Sequence, residues 1–146
     1  MRITLTTDPT PDDIDAVRLP LIAFNRKASG RPPGYYPFAF HVHDDDGRVI
    51  GGATGHASLD WVFLELLFVP EQLRGQGVGS ELLARVEAFG LDHSMIGVWL
   101  DTFSFQARPF YERHGYEVIA TIEDYPLGAQ RFFMSKRLDR AGAQKP

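Results

Sequence analysis

The stretch "LFVPEQLRGQGVGSELL", residues 67–83, decides how this chain is read. It leaves an apolar run, crosses a glycine-dense turn with one arginine, and enters a helical pattern. Val78, Leu82, Leu83, Val86 and Phe89 recur at the period of an amphipathic helix, with Glu81 and Glu87 read as its solvent face. The first turn of a helix has backbone N–H groups without intrahelical partners, and the helix dipole favours an anion there. Gly75, Gly77 and Gly79 remove side chains, so a phosphate can approach the main chain closely, and Arg74 adds a charge-assisted donor. The stretch thus has the parts of a pyrophosphate cradle. The competing reading is a glycine turn that binds nothing. A Walker A loop is excluded because no lysine follows the glycines. A dinucleotide fingerprint is excluded because the turn follows three meandering strands rather than the first strand of a parallel unit.

Upstream, "FAFHVHDDDGRVIGGATGHASLDWVFLELLFV" predicts those three antiparallel strands, with hairpin turns at Asp46-Gly47 and near "ASLD". "RITLTT" alternates and predicts a first strand. In "TPDDIDAVRLPLIAFN", Thr10 caps a helix, Pro11 opens it, and Asp12 and Asp13 suit its positive end. Pro20 is expected to kink or divide that helix, and Asn25 to end its first segment. "NRKASGRPPGYYP" reads as a loop. Downstream come a strand in "MIGVWLDTF", a short helix in "QARPFYERHG" closed by Gly115 around an awkward Pro109, and a final hairpin of "YEVIATIED" and "RFFMSKRL". The order predicts an α/β fold of the α+β type: a mixed, mostly antiparallel sheet of about seven strands flanked by about four helices. Residues 1–138 are expected to form one domain, and 139–146 a flexible tail.

The chain of 146 residues carries a net charge of −4 and no basic block, which argues against a nucleic-acid partner and leans towards a cationic or neutral small one. With no cysteine, disulfides, thiolate ligands and a cysteine nucleophile are excluded. No apolar run is long enough to span a bilayer and the N-terminus lacks a secretory h-region, so no membrane partner and a cytoplasmic location are expected. His41 and His43 share one side of a strand, but no third ligand accompanies them, and no metal is expected.

Two segments resemble the GNAT family of N-acetyltransferases. "VPEQLRGQGVGSELL" is similar to the family's acetyl-coenzyme A motif, Arg/Gln-x-x-Gly-x-Gly/Ala, with Arg74, Gly77 and Gly79 in place. "QARPFYERHGYEV" is similar to its Ala-x-x-x-Tyr-x-x-x-Gly-Phe segment, matched by Ala107, Tyr111, Gly115 and Tyr116. The resemblance covers nearly the whole chain and implies direct acetyl transfer from acetyl-CoA to a primary amine of a small molecule or peptide. It implies that the fourth and fifth strands splay apart. The pyrophosphate then lies on the N–H groups of Arg74, Gly75, Gln76, Gly77, Val78, Gly79 and Ser80, and the pantetheine arm pairs beside Phe68 and Val69. The N–H of Val69 points at the acetyl oxygen. Ser104 replaces a family asparagine that contacts the cofactor.

By the same resemblance Tyr111 is the acid for the leaving thiolate, against its plainer reading as a core aromatic. Glu65 stands where polyamine acetyltransferases carry the first acid of "LEDFFV"-like segments, and Leu66 replaces the second. Its apolar neighbours predict burial, and burial would raise its pKa towards that of a useful base. The other readings of Glu65 are an amine-binding group and a structural ion pair; deprotonation through ordered water is a further route. Asn25, Tyr35, Tyr36, Phe103 and Tyr125 are the candidate acceptor-pocket residues, with Asn25 read equally as a helix C-cap. A homodimer is expected from family habit and the final hairpin. The alternative function is a non-catalytic acyl-CoA binding or sensing domain on the same fold.

Overall fold

The computed structural model describes residues 1–139. Residues 140–146, most of the expected tail, lie outside the described residues. The chain divides into two compact units, Met1–Pro33 and the remainder from Gly34.

The first unit holds one helix, α1 (Pro11–Ser29). Thr10 caps it as expected, in a reciprocal box: the Thr10 hydroxyl accepts from the Asp13 amide, and the Asp13 carboxylate accepts from the Thr10 amide at 2.8 Å. That amide and the Thr10 hydroxyl hold the Asp13 carboxyl below the usual carboxylate range. Two expectations are corrected here. The helix runs through Pro20 unbroken and ends at Gly30, which takes the left-handed conformation of a C-cap. Asn25 is therefore interior to α1 and caps nothing. Arg2–Thr7 forms no strand, so the sheet has six strands rather than seven.

The second unit is that sheet with two helices and a short 3-10 turn. Its strands are β1 (Tyr35–His43), β2 (Val49–Ser58), β3 (Trp61–Phe68), β4 (Gly97–Phe103), β5 (Glu117–Glu123) and β6 (Gln130–Arg137), in the spatial order β1-β2-β3-β4-β6-β5. Only β3 and β4 pair in parallel, because a helix connects them. Both expected hairpin turns form, and the second uses Leu59 and Asp60 at positive φ. Helix α2 (Val78–Asp92) buries the face its periodicity predicts, with Leu82, Leu83 and Val86 packed among Val62, Leu64, Val98 and Leu100. Burying each such side chain contributes roughly 1.5–3 kcal/mol. Helix α3 (Arg108–Arg113) starts late enough that Pro109 falls in its first turn, where no N–H is required.

Glu87 departs from the solvent-face reading. Its carboxylate accepts from Tyr116 at 3.2 Å and pairs with Lys136 at 2.9 Å, joining α2 to β6. Burial and that carboxylate push the Tyr116 phenol well above its ordinary value. Glu81, by contrast, makes among the described residues only an exposed pair with Arg85 on its own helix.

Candidate active site

The parallel ladder between β3 and β4 covers only Trp61–Leu64 against Gly97–Leu100. Beyond Leu64 and Leu100 the two strands have no mutual pairing, which is the splay expected of the fourth and fifth strands. A β-bulge lies at the same point: Leu64 faces Gly55 and Leu66 faces Thr54, so Glu65 is the extra residue. The bulge shifts the alternation. Val62 and Leu64 face the core before it, Leu67 and Val69 pack there after it, and Leu66 and Phe68 are exposed. Glu65 itself is exposed, which corrects the burial expected from its apolar neighbours. The unpaired strand ends open a cavity of about 1120 Å³.

The glycine turn forms part of this cavity's wall. Gly75 and Gly77 have φ of +72° and +82°, a conformation other residues rarely adopt, and a Cβ on either would meet only open space. Gly79 serves differently: a Cβ there would lie 3.3 Å from the Phe110 ring, so it lets α3 approach. No side chain caps α2, leaving the N–H groups of Val78, Gly79 and Ser80 available to an anion. The Arg74 Nε donates to the Val69 carbonyl at 3.0 Å, fixing the arginine against the end of β3. Arg74, Gly75, Gly77, Gly79 and Ser80 line the cavity together with Phe68 and Val69. The side chains of three other expected cofactor-binding residues, Gln76, Val78 and Ser104, do not line it, which leaves the main-chain N–H groups of Gln76 and Val78 as the groups that could meet an anion. Gln76 turns back to donate to the Gln72 carbonyl at 2.7 Å. The Val78 side chain packs on the core. The Ser104 hydroxyl accepts from the Gln130 amide at 3.1 Å, tying the end of β4 to the start of β6.

The Tyr111 ring is buried, and the residue lines the cavity beside the strand split. Among the described residues its hydroxyl has no hydrogen-bond partner. Burial, and secondarily the charge of Asp101, push its phenol up to about 12. One turn later His114 bridges the helices, with Nδ1 at 2.8 Å from the Phe110 carbonyl and Nε2 at 2.9 Å from the Ser80 hydroxyl. This holds α3, and Tyr111 with it, against the start of α2.

Asp101, Gln106 and Arg131, which no motif marks, also line the cavity. Asp101 and Arg131 pair at 2.6 Å, both largely buried. Arg131 also donates to the Tyr125 hydroxyl at 2.7 Å. Gln106 accepts from the Phe103 amide at 2.8 Å, satisfying the end of β4. The alternation of Trp99, Asp101 and Phe103 on one face of β4 was the available signal, but an aspartate in a strand has no motif. Phe103 lines the cavity and Tyr125 meets it edge-on at 5.5 Å. Tyr35 and Tyr36 do not belong with them. They open β1 rather than a loop, and pair with the β2 end opposite Trp61, the far end of the β2–β3 ladder from Phe68. Their rings contact His56 and His93. Asn25 lies in the other unit. His41 and His43 sit on edge strand β1, and among the described residues no group of three potential metal ligands forms.

A helix start shaped for phosphate, an unpaired strand edge and a buried phenol on one cavity are the working parts of a transferase that takes its group from a coenzyme thioester. The profile of the acetyltransferase (GNAT) family matches residues 5–116. Acetyltransferase Atu2258 of Agrobacterium fabrum is 34% identical over 122 residues, covering 84% of this chain and 88% of that protein. Blasticidin-S acetyltransferase of Streptomyces morookaense is 38% identical over 102 residues, covering 69% and 75%. The crystal structure of an acetyltransferase from Bacillus cereus superposes with a TM-score of 0.77 at 28% identity, over 92% of this chain and 97% of that one. The chain belongs to the acetyltransferase (GNAT) family and is an acetyl-CoA-dependent N-acetyltransferase.

Proposed function

We propose that this protein transfers the acetyl group of acetyl-CoA directly to a primary amine of a small molecule, using the cavity between the separated ends of β3 and β4. The observation that carries this reading is the common cavity: the uncapped start of α2, the unpaired edge at Phe68 and Val69, and Tyr111 all line it. A small-molecule acceptor is favoured because one relative that this chain matches is named for blasticidin S.

Acetyl-CoA supplies the activated acyl group. The N–H groups of Val78, Gly79 and Ser80, with Arg74, bind its pyrophosphate. The strand edge left free by the splay pairs with amides of its pantetheine arm, and an N–H there, that of Val69, faces the acetyl oxygen. Tyr111 lies near the sulfur. Its phenol, at about 12, is a much weaker acid than a thiol at ~8.5. Complete transfer to a free thiolate is thus uphill, so Tyr111 acts chiefly by hydrogen-bonding the charge that develops on sulfur. Glu65 binds the acceptor ammonium or takes its proton, from a wet rather than a buried position. Release of free thiol from acetyl-CoA in the presence of an amine panel tests the proposal. Release that depends on amine supports it. Tight acetyl-CoA binding with no amine-dependent release, from any small amine or peptide, overturns it in favour of a sensor.

A further inference from the structure

We propose that the acceptor pocket selects amines bearing a planar aromatic or heteroaromatic group, held against Phe105 and Phe103. This rests on the acetyl-transfer reading above and names the substrate class of the same cavity. Phe103 and Phe105 both line the cavity and stack nearly parallel, with centroids 5.1 Å apart and planes 5° apart. Phe105 nevertheless remains 64% exposed, so a large ring surface is open at the cavity wall. Delocalised rings stack on such a surface in offset or edge geometry, beyond the gain from burial alone.

Phe103, on which Phe105 stacks, is held in place before anything binds. The Arg131 guanidinium lies 5.2 Å from the Phe103 centroid and 4.8 Å from that of Tyr125. Tyr125 in turn meets Phe103 edge-on, and Gln106 ties down the Phe103 amide. A wall ordered in advance loses little side-chain entropy on binding. The charges point to the same class of ligand. Arg131 is the basic residue beside these rings, and Asp101 already engages it through two nitrogens, Nε at 2.8 Å and Nη2 at 2.6 Å. It is therefore poorly placed to take a substrate carboxylate. Glu65, on the same cavity, makes no ion pair among the described residues and suits an ammonium. The complementary ligand is a cationic amine joined to a flat, uncharged ring.

The test uses the full chain, acetyl-CoA, and the matched acceptors phenethylamine and cyclohexylethylamine, which differ in the planarity and delocalisation of the ring. Thiol release should give a kcat/KM roughly three- to tenfold higher for the aromatic member. The substitution Phe105→Leu keeps an apolar side chain but removes the ring face, and should bring the ratio close to one. Because the ratio is taken on a single preparation, partial unfolding of the variant leaves it unchanged. Equal kcat/KM for both amines in the native protein overturns the aromatic wall and leaves acetyl transfer standing. A native preference that survives in Phe105→Leu overturns the assignment to this wall. Acetyl-CoA binding with release from neither these amines nor any other overturns both readings.

Discussion

At Tyr111, burial and a neighbouring carboxylate act in the same direction, and the residue's chemistry follows from their sum. A phenol held up to about 12 stays protonated across the working pH range. Tyr111→Phe should therefore lower kcat by about ten- to a hundredfold, the worth of one hydrogen bond to a charged group, and leave acetyl-CoA affinity nearly intact. Steady-state kinetics with calorimetry would show this. No alkaline limb from Tyr111 should appear in the native pH–rate profile below about pH 11, since activity that needs the protonated phenol is lost only as pH rises through its folded value. An alkaline limb near pH 10 that vanishes in the variant would contradict the burial argument. Tyr111 was legible because its segment has a fixed spacing to Gly115. Glu65 was legible as a residue of interest, but its environment was not. Apolar neighbours in sequence imply burial only while the strand alternates without interruption, and the bulge at Glu65 breaks the alternation there. Glu65→Gln should raise the acceptor KM or lower kcat by about tenfold without changing acetyl-CoA affinity, as measured by kinetics against both substrates.

Among the elements, α2 shows most clearly what periodicity does and does not disclose. Leu82, Leu83 and Val86 bury as their spacing requires, yet Glu87 on the same helix is drawn into a partly buried pair by Lys136, 49 positions away in sequence. Nothing local to the helix reports that partner. Glu87→Ala should destabilise the protein by about 1–3 kcal/mol, because it leaves the Tyr116 hydroxyl without its acceptor. Glu81→Ala, which loses only an exposed pair, should change stability by less than about 0.5 kcal/mol. Chemical denaturation of the two variants separates them. Tyr111 and Tyr116 both hold their protons more tightly in the folded state than the ordinary value of 10.0. The stability they contribute is whole below pH 10 and is lost as pH rises above it. Tm should fall above about pH 10, less steeply in Tyr116→Phe. The missing first strand carries the complementary lesson. Arg2–Thr7 has the alternation of a strand, but alternation only permits a strand, and pairing completes it. Pro20 likewise removes one helical bond without ending α1, since the bonds on either side of it persist. The partner that Ser104 finds across the sheet, Gln130, was invisible from sequence.

Over the whole molecule, the glycine-turn part of the cavity wall was legible and the part around Asp101 and Arg131 largely was not. The glycine turn is built from consecutive residues, Arg74 to Ser80, so its capacity for an anion can be read directly from the sequence. The wall proposed for the acceptor is assembled from β4, the turn after it and β6, and its Asp101–Arg131 pair spans 30 positions. Tyr35 and Tyr36 looked equally suitable in sequence, and only the β1–β2 register sends them to the opposite end of the sheet. Binding of the coenzyme's pyrophosphate at the glycine turn around Gly77 is read by calorimetry. Acetyl-CoA is titrated by calorimetry into the native protein and into Arg74→Ala and Gly77→Val, with Tm recorded to confirm folding. The native protein should bind, and ligand at about a hundredfold above Kd should stabilise it by about 2.7 kcal/mol. Arg74→Ala should weaken binding about ten- to a hundredfold through loss of a charge-assisted contact, and Gly77→Val should abolish it. Undiminished binding by a folded Gly77→Val would contradict the account.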